Sequence, residues 1–136
     1  MSKQKPVRNH DVMCQEYAMV DGLQTVAEAI EQAVTHKVNV LFVNKRDDDD
    51  EYGMVLMSDI AKKVLAKDKA PDRVNIYEIM VKPVLSVEGN MDVRYCARLF
   101  DRFGITKAPV IEQGKIVGLV SYHDIVLKGM INRISV

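Results

Sequence analysis

Gly118-Leu119-Val120-Ser121-Tyr122-His123-Asp124-Ile125 decides the fold, because the chain carries this stretch twice. The earlier copy is Gly53-Met54-Val55-Leu56-Met57-Ser58-Asp59-Ile60, 65 residues upstream. Each copy reads as a glycine, a short apolar strand and an Asp at the mouth of a helix. Further upstream the period is 67, from Met13 to Met80, Val26 to Val93, Val38 to Ile105 and Val43 to Val110. The two-residue change falls where Asn44–Tyr52 is longer than Ile111–Val117. Loops absorb such insertions cheaply, so one folding unit is used twice.

A length of 136 residues makes one domain or an intimate pair of small units. A hydrophobic content of 48% and a charged content of 28% are ordinary for a globular chain. Nineteen basic and nineteen acidic residues cancel, so no net field draws the chain to nucleic acid or an anionic membrane. No apolar run is long enough to span a bilayer. The basic start, Met1-Ser2-Lys3-Gln4-Lys5-Pro6, is followed by no apolar segment, which predicts no signal peptide. Cys14 and Cys96 lack metal-ligand spacing and are expected as reduced thiols in a cytoplasmic protein.

The local pattern predicts a β-α-β-β-α order in each half. Residues 1 to about 10 are polar and expected to be loosely held. Tyr17–Val20 reads as a strand, and Thr25 with Glu28 as a capping box. A helix follows over 26–36, with Val26, Ala29, Ile30, Ala33 and Val34 on its apolar face. Val38–Val43 is a strand. Asp47–Glu51 is read as a solvated hairpin tip, since the spaced ligands and glycine of a calcium loop are missing. Gly53–Met57 returns, and Ser58 or Asp59 caps a helix to about Ala66. Pro71 and its charged neighbours mark a linker over 68–73 between repeats at 10–67 and 74–132. In the second repeat a short helix is expected at Val74–Met80 and a strand at Val84–Val87. A helix over 92–103 ends at Gly104, strands run Lys107–Glu112 and Lys115–Val120, and a last helix spans about Tyr122 to Asn132. The apolar residues lie on one side of each helix, so the helices are expected to cover one face of a small three-stranded sheet, giving an α+β fold. Met54, Met57, Met80, Met91 and Met130 read as core residues.

This order, the Gly-x-x-Ser-x-x-Asp signature of Gly118, Ser121 and Asp124, and the segment Gly104-Ile105-Thr106-Lys107-Ala108-Pro109-Val110 resemble the CBS domain family. Asp11-Val12-Met13 and Ile79-Met80 fit the opening helix of each repeat, and the likeness runs from about residue 10 to 131. The resemblance implies a tandem pair related by a pseudo-twofold axis and a homodimer. It also implies an adenine nucleotide (AMP, ADP or ATP) or a related adenosyl ligand between the repeats, held as a regulatory ligand with no required cofactor. No enzyme activity is implied. The output would pass to a separate effector protein.

Asp124, at a helix start, has the chemistry to accept both hydroxyls of a ribose. Ser121 is placed to donate to a phosphate, helped by backbone N–H groups, and Lys107 adds a positive charge. By the same resemblance Thr106 reaches the ligand, and Tyr17 and Ala18 line the adenine. Against this stands the plain reading of Ser121 and Asp124 as helix caps. In the first repeat Asp59 keeps its place, but Leu56 stands for Ser121, and Asn39 and Val40 for Thr106 and Lys107. A weaker second site is therefore expected at Asn39, Asp59, Val84 and Leu85, empty or holding a less charged ligand such as adenosine or S-adenosylmethionine. His10, His36 and His123 are scattered, and no zinc site, nucleophile elbow or Walker loop is spaced out in the chain. The competing reading is a ligand-free scaffold or dimerisation module.

Overall fold

The structure is a computed structural model that describes residues 5–131. The expected end of the last helix at Asn132 lies outside the described residues, as do Met1–Gln4 of the basic start. Along the chain run α1 (Asn9–Val12), β1 (Ala18–Val20), α2 (Val26–His36), β2 (Val40–Val43), β3 (Gly53–Leu56) and α3 (Met57–Ile60). α3 continues as a π-helical segment over Ala61–Leu65, and two 3-10 turns follow at Pro71–Arg73 and Ile76–Glu78. The second half contains α4 (Val93–Phe103), β4 (Lys107–Glu112), β5 (Lys115–Ser121) and α5 (Tyr122–Gly129).

The chain packs as two compact units, Glu16–Val84 and the described parts of Met1–Gln15 with Leu85–Val136. In the unit of Glu16–Val84 the sheet order is β1-β2-β3, with β1 parallel and β3 antiparallel to β2. β2 is buried along its whole length, as a run of Val-Leu-Phe-Val requires. The Thr25 hydroxyl accepts from the Glu28 N–H at 3.1 Å, and the Glu28 carboxylate accepts from the Thr25 N–H at 3.0 Å, so the capping box starts α2 where the sequence places it. Val26, Ala29 and Ala33 enter the core, but Val34 is 71% exposed. Val34 lies outside the buried stripe of Val26, Ala29 and Ala33.

In the other unit β4 and β5 form a two-stranded antiparallel sheet, turned by Gln113 and Gly114, both at positive φ. The expected strand at 84–87 shrinks to one residue. The Val87 N–H donates to the Pro109 carbonyl at 3.0 Å, whereas the Val84 N–H is taken by the Tyr52 carbonyl at 3.2 Å. α4 is capped by Asp92 and closed by Gly104 at φ 64°. Its Phe100 is fully buried and meets Tyr122 edge to face at 5.3 Å.

The start of the chain is not loosely held over its described part. Asn9 is fully buried, the Asn9 N–H donates to the Met91 carbonyl at 2.9 Å, and the Val7 carbonyl accepts from the Val93 N–H at 2.9 Å. These partners lie some 80 residues away, which is why local polarity misread them. The helix expected at Val74–Met80 is only the 3-10 turn Ile76–Glu78, held by the Asn75 N–H on the Glu78 carboxylate at 2.7 Å. The hairpin tip is not wholly solvated either. The Asp50 side chain is 7% exposed and accepts from the Arg46 N–H at 2.9 Å and from Lys82 Nζ at 2.8 Å. Met54 is buried, while Met57 and Met130 are 37% and 44% exposed.

The two glycines of the repeated signature have a packing reason. A Cβ on Gly118 would lie 2.5 Å from Met13 Sδ and 3.2 Å from Met13 Cβ, and one on Gly53 would lie 2.9 Å from Met80 Sδ. Met13 and Met80 are equivalent residues of the two repeats. Each packs on the glycine strand of the opposite repeat's sequence, and the adjoining pairs Cys14–Leu119 and Met54–Val81 form β-bridges. Each compact unit thus takes its opening segment from the other sequence repeat.

Candidate functional site

β4 begins and β5 ends at the same edge, because Lys107 pairs with Ser121 in the antiparallel register. The chain turns there directly from β5 into α5. The Tyr122 N–H donates to the Thr106 carbonyl at 3.1 Å and ties the start of the helix to the start of β4. Thr106, Lys107, Ser121 and Asp124 are therefore brought together at one end of one sheet. Thr106 is exposed, Lys107 half-buried, and Ser121 and Asp124 are 8% and 6% exposed.

Ser121 is the N-cap of α5. Its hydroxyl accepts from the Asp124 N–H at 3.2 Å and donates to Asp124 Oδ2 at 3.0 Å. The capping reading of this pair is thus realised, and the Ser121 proton is spent on Asp124. A third group completes the cluster: Lys128 Nζ, one turn further on, lies 3.2 Å from Asp124 Oδ1 and donates to the Val12 carbonyl at 3.3 Å. The buried carboxylate therefore holds one donor on each oxygen. Four lone-pair positions on a carboxylate leave room for two more, one per oxygen. A vicinal diol offers two hydroxyl donors of the kind such a carboxylate can accept. His123 is exposed in the first turn.

In the unit of Glu16–Val84 the same edge is built from other residues. Val40 pairs with Leu56 in the place of Lys107 and Ser121, and Asn39 is exposed just before β2. Asp59 is not the helix cap. It is the third helical residue, and its Oδ2 accepts from the Leu56 N–H at 2.8 Å, the same bond that Glu28 makes to Thr25 at the start of α2. Lys63 stands 3.7 Å from Asp59 Oδ1 and donates to the Ile79 carbonyl at 2.9 Å. Tyr17 packs edge-on against Phe42 at 5.0 Å, and Ala18 is buried in register with Leu41. Both belong to this unit and are placed by its contacts. Val84 and Leu85, their equivalents 67 residues on, are half-buried on either side of the division between units.

Lys63 and Lys128 were missed by motif reading, although the signal was present: both stand four residues after the repeated Asp, in the 65-residue period. Among the described residues no three His, Cys, Asp or Glu side chains converge to hold a metal, and no helix is long and apolar enough to cross a membrane.

Comparison with known proteins agrees with this architecture. Two structures of a hexameric CBS-CP12 protein from bloom-forming cyanobacteria are similar to the chain. One matches at 35% identity with a TM-score of 0.88, over 92% of this chain and 69% of that one. The CBS domain pair of protein MJ0100, in complex with 5-methylthioadenosine and S-adenosyl-L-methionine, matches at 25% identity and a TM-score of 0.73, over 88% of this chain and 96% of that one. The CBS domain protein PAE2072 from Pyrobaculum aerophilum, complexed with AMP, shares the fold at 19% identity and a TM-score of 0.79, over 93% of this chain and 96% of that one. An uncharacterized protein of Methanopyrus kandleri is 34% identical over 64% of this chain, which spans 44% of that protein's length. The CBS domain family itself matches at residues 10–66 and 76–130, and the chain belongs to that family.

Proposed function

We propose that the chain is a regulatory CBS pair that binds an adenosine-containing ligand, an adenine nucleotide such as AMP, ADP or ATP, and signals its presence to an effector protein without catalysing a reaction. The observation that carries this reading is the buried Asp124 carboxylate, gathered with Thr106, Lys107 and Ser121 at one sheet edge and carrying one protein donor on each oxygen. A ribose offers two hydroxyl donors to this carboxylate, and Lys107 offers charge for a phosphate. Charge-assisted hydrogen bonds contribute about 1.5–3 kcal/mol each, so losing the diol contact costs roughly 30- to 1,000-fold in affinity once non-additivity is allowed for.

The reading keeps Tyr17 and Ala18 as the adenine-facing residues, supported by the resemblance and tested by Tyr17→Ala. It keeps Asp59, Asn39, Val84 and Leu85 as the weaker site, where Val40 offers no charge and Leu56 no hydroxyl. Assembly of the chain into a homodimer, in a reducing cytoplasm, belongs to the same proposal. The exposed Leu127, Met130 and Ile131 at the end of α5 support self-association, and the thiols Cys14 and Cys96 support the compartment.

A second reading has its own support. Because the Ser121 proton is already used by Asp124, ribose recognition is better provided for than phosphate recognition. A ligand without phosphate, of the 5-methylthioadenosine or S-adenosylmethionine type, fits that balance. Titration with AMP, 2′-deoxy-AMP and 5-methylthioadenosine separates the cases. Weakening by at least tenfold on removal of the 2′-hydroxyl supports the diol contact. Equal binding of AMP and its 2′-deoxy form refutes it, and tighter 5-methylthioadenosine binding favours the second reading.

A further inference from the structure

We propose that Lys128 is a positioning residue that couples occupancy of Asp124 to the N-terminal helix α1, an inference that rests on reading Asp124 as the ribose-binding acid. The Lys128 ammonium is shared almost evenly, 3.2 Å from Asp124 Oδ1 and 3.3 Å from the carbonyl of Val12. Val12 is the last residue of α1 and fully buried. Directly after it, Met13 packs on Gly118 and Cys14 exchanges backbone hydrogen bonds with Leu119 at 2.9 Å in both directions. One cation therefore touches both the candidate ligand acid and the end of the segment that edges β5.

The first repeat supplies an internal control. Lys63 is the equivalent lysine and Ile79 the equivalent of Val12, but the sharing is uneven: 3.7 Å to Asp59 and 2.9 Å to the Ile79 carbonyl. Each carboxylate carries a second donor on its other oxygen, the Leu56 N–H at 2.8 Å on Asp59 Oδ2 and the Ser121 hydroxyl at 3.0 Å on Asp124 Oδ2. The carboxylate with the shorter second donor is the one whose lysine sits closer to the carbonyl. A diol arriving on Asp124 supplies such donors. It weakens the pull on Lys128, whose ammonium then moves toward the Val12 carbonyl and adopts the arrangement already seen for Lys63. Ligand binding is thereby converted into tighter anchoring of α1.

The test is amide hydrogen exchange over residues 9–14 in the full chain, with and without saturating AMP and with 5-methylthioadenosine as second ligand, on wild type, Lys128→Met, Lys128→Arg and Lys63→Met. Wild type is expected to show at least threefold slower exchange at 9–14 when ligand is bound. Lys128→Met is expected to exchange faster than wild type without ligand and to lose the ligand-induced slowing while still binding, with affinity reduced several-fold. Lys128→Arg restores part of the slowing, and Lys63→Met leaves it intact. Slowing that survives in Lys128→Met, or unchanged exchange at 9–14 in its ligand-free form, overturns the coupling. Wild-type binding with no change at 9–14 overturns it as well and leaves the ribose reading standing. Absence of binding to either ligand by wild type overturns the ribose reading and the coupling together.

Discussion

Replacing Ser121 by Ala separates what this hydroxyl does for folding from what it does for a ligand. The Ser121 Oγ makes two buried hydrogen bonds, accepting from the Asp124 N–H at 3.2 Å and donating to Asp124 Oδ2 at 3.0 Å. Loss of an N-cap costs about 1 kcal/mol, and the bond to a carboxylate adds about as much again. The sum is discounted because Asp124 keeps Lys128 at 3.2 Å and the 3.2 Å cap bond is long. About 1.5–2 kcal/mol of destabilisation is expected, or roughly 4–10 °C in Tm for a chain of this size. Urea unfolding followed by circular dichroism at pH 7 measures it through a lower midpoint at unchanged slope. An unchanged midpoint would refute the argument, since it would mean that the cap contributes nothing where the pair is buried. Leu56→Ala in the first repeat is the matched control, for there the capping donor is the Leu56 backbone N–H, which the substitution preserves.

Three other outcomes follow from the packing and the charges. Gly118→Ala places a methyl 2.5 Å from Met13 Sδ and 3.2 Å from Met13 Cβ, so a destabilisation of about 1–3 kcal/mol is expected, and the same substitution should cost less in a Met13→Ala background, where the sulfur is gone; strict additivity of the two would contradict the contact. Hydrogen bonds from the Arg46 side chain, then Lys82, then the Arg46 backbone hold the Asp50 carboxyl well below the usual carboxylate range. Its folded pKa is depressed, so its contribution to stability is present above about pH 4 and is lost as pH falls further; Asp50→Asn should flatten the acid limb of stability against pH, and an unaltered slope would count against the anchor. Burial pushes the Cys96 thiol up to about 11 against a smaller opposing effect of Asn9. The unfolded thiol ionises first, so stability should fall between about pH 9 and pH 11 in wild type and fall less in Cys96→Ala, as read from urea midpoints across that range.

Most of the fold was legible because its signals are local or repeated. Thr25 and Glu28 mark the start of α2, Gly104 ends α4, and the Gln113-Gly114 turn fixes the β4–β5 hairpin, each by chemistry confined to a few residues. What was not legible depends on distant partners. Asn9 looks like a polar terminal residue until the Met91 carbonyl and the Glu88 carbonyl, which its side chain reaches at 2.9 Å, are known. The 84–87 segment has strand composition, yet only Val87 finds β4 because Val84 is bonded to Tyr52. At the candidate site, the repeated Asp pointed to the correct helix starts. The capping reading of Ser121 and Asp124 is met, whereas the first repeat departs from it: the N-cap is Leu56, whose N–H bonds Asp59. Lys63 and Lys128 are marked only by the alignment of the two repeats, because a single lysine within a helix carries no signal by itself.

The most direct test of the central claim is calorimetric titration of nucleotide-stripped protein with AMP, ADP, ATP and S-adenosylmethionine, repeated on Asp124→Ala and Asp59→Ala. Wild type is expected to show saturable one-site binding of at least one of these ligands, abolished or weakened at least 30-fold by Asp124→Ala and nearly unchanged by Asp59→Ala. A folded wild type that gives no heat and no thermal stabilisation with any of the four would contradict it, as would binding that survives Asp124→Ala, and the first result would leave the ligand-free scaffold reading in its place.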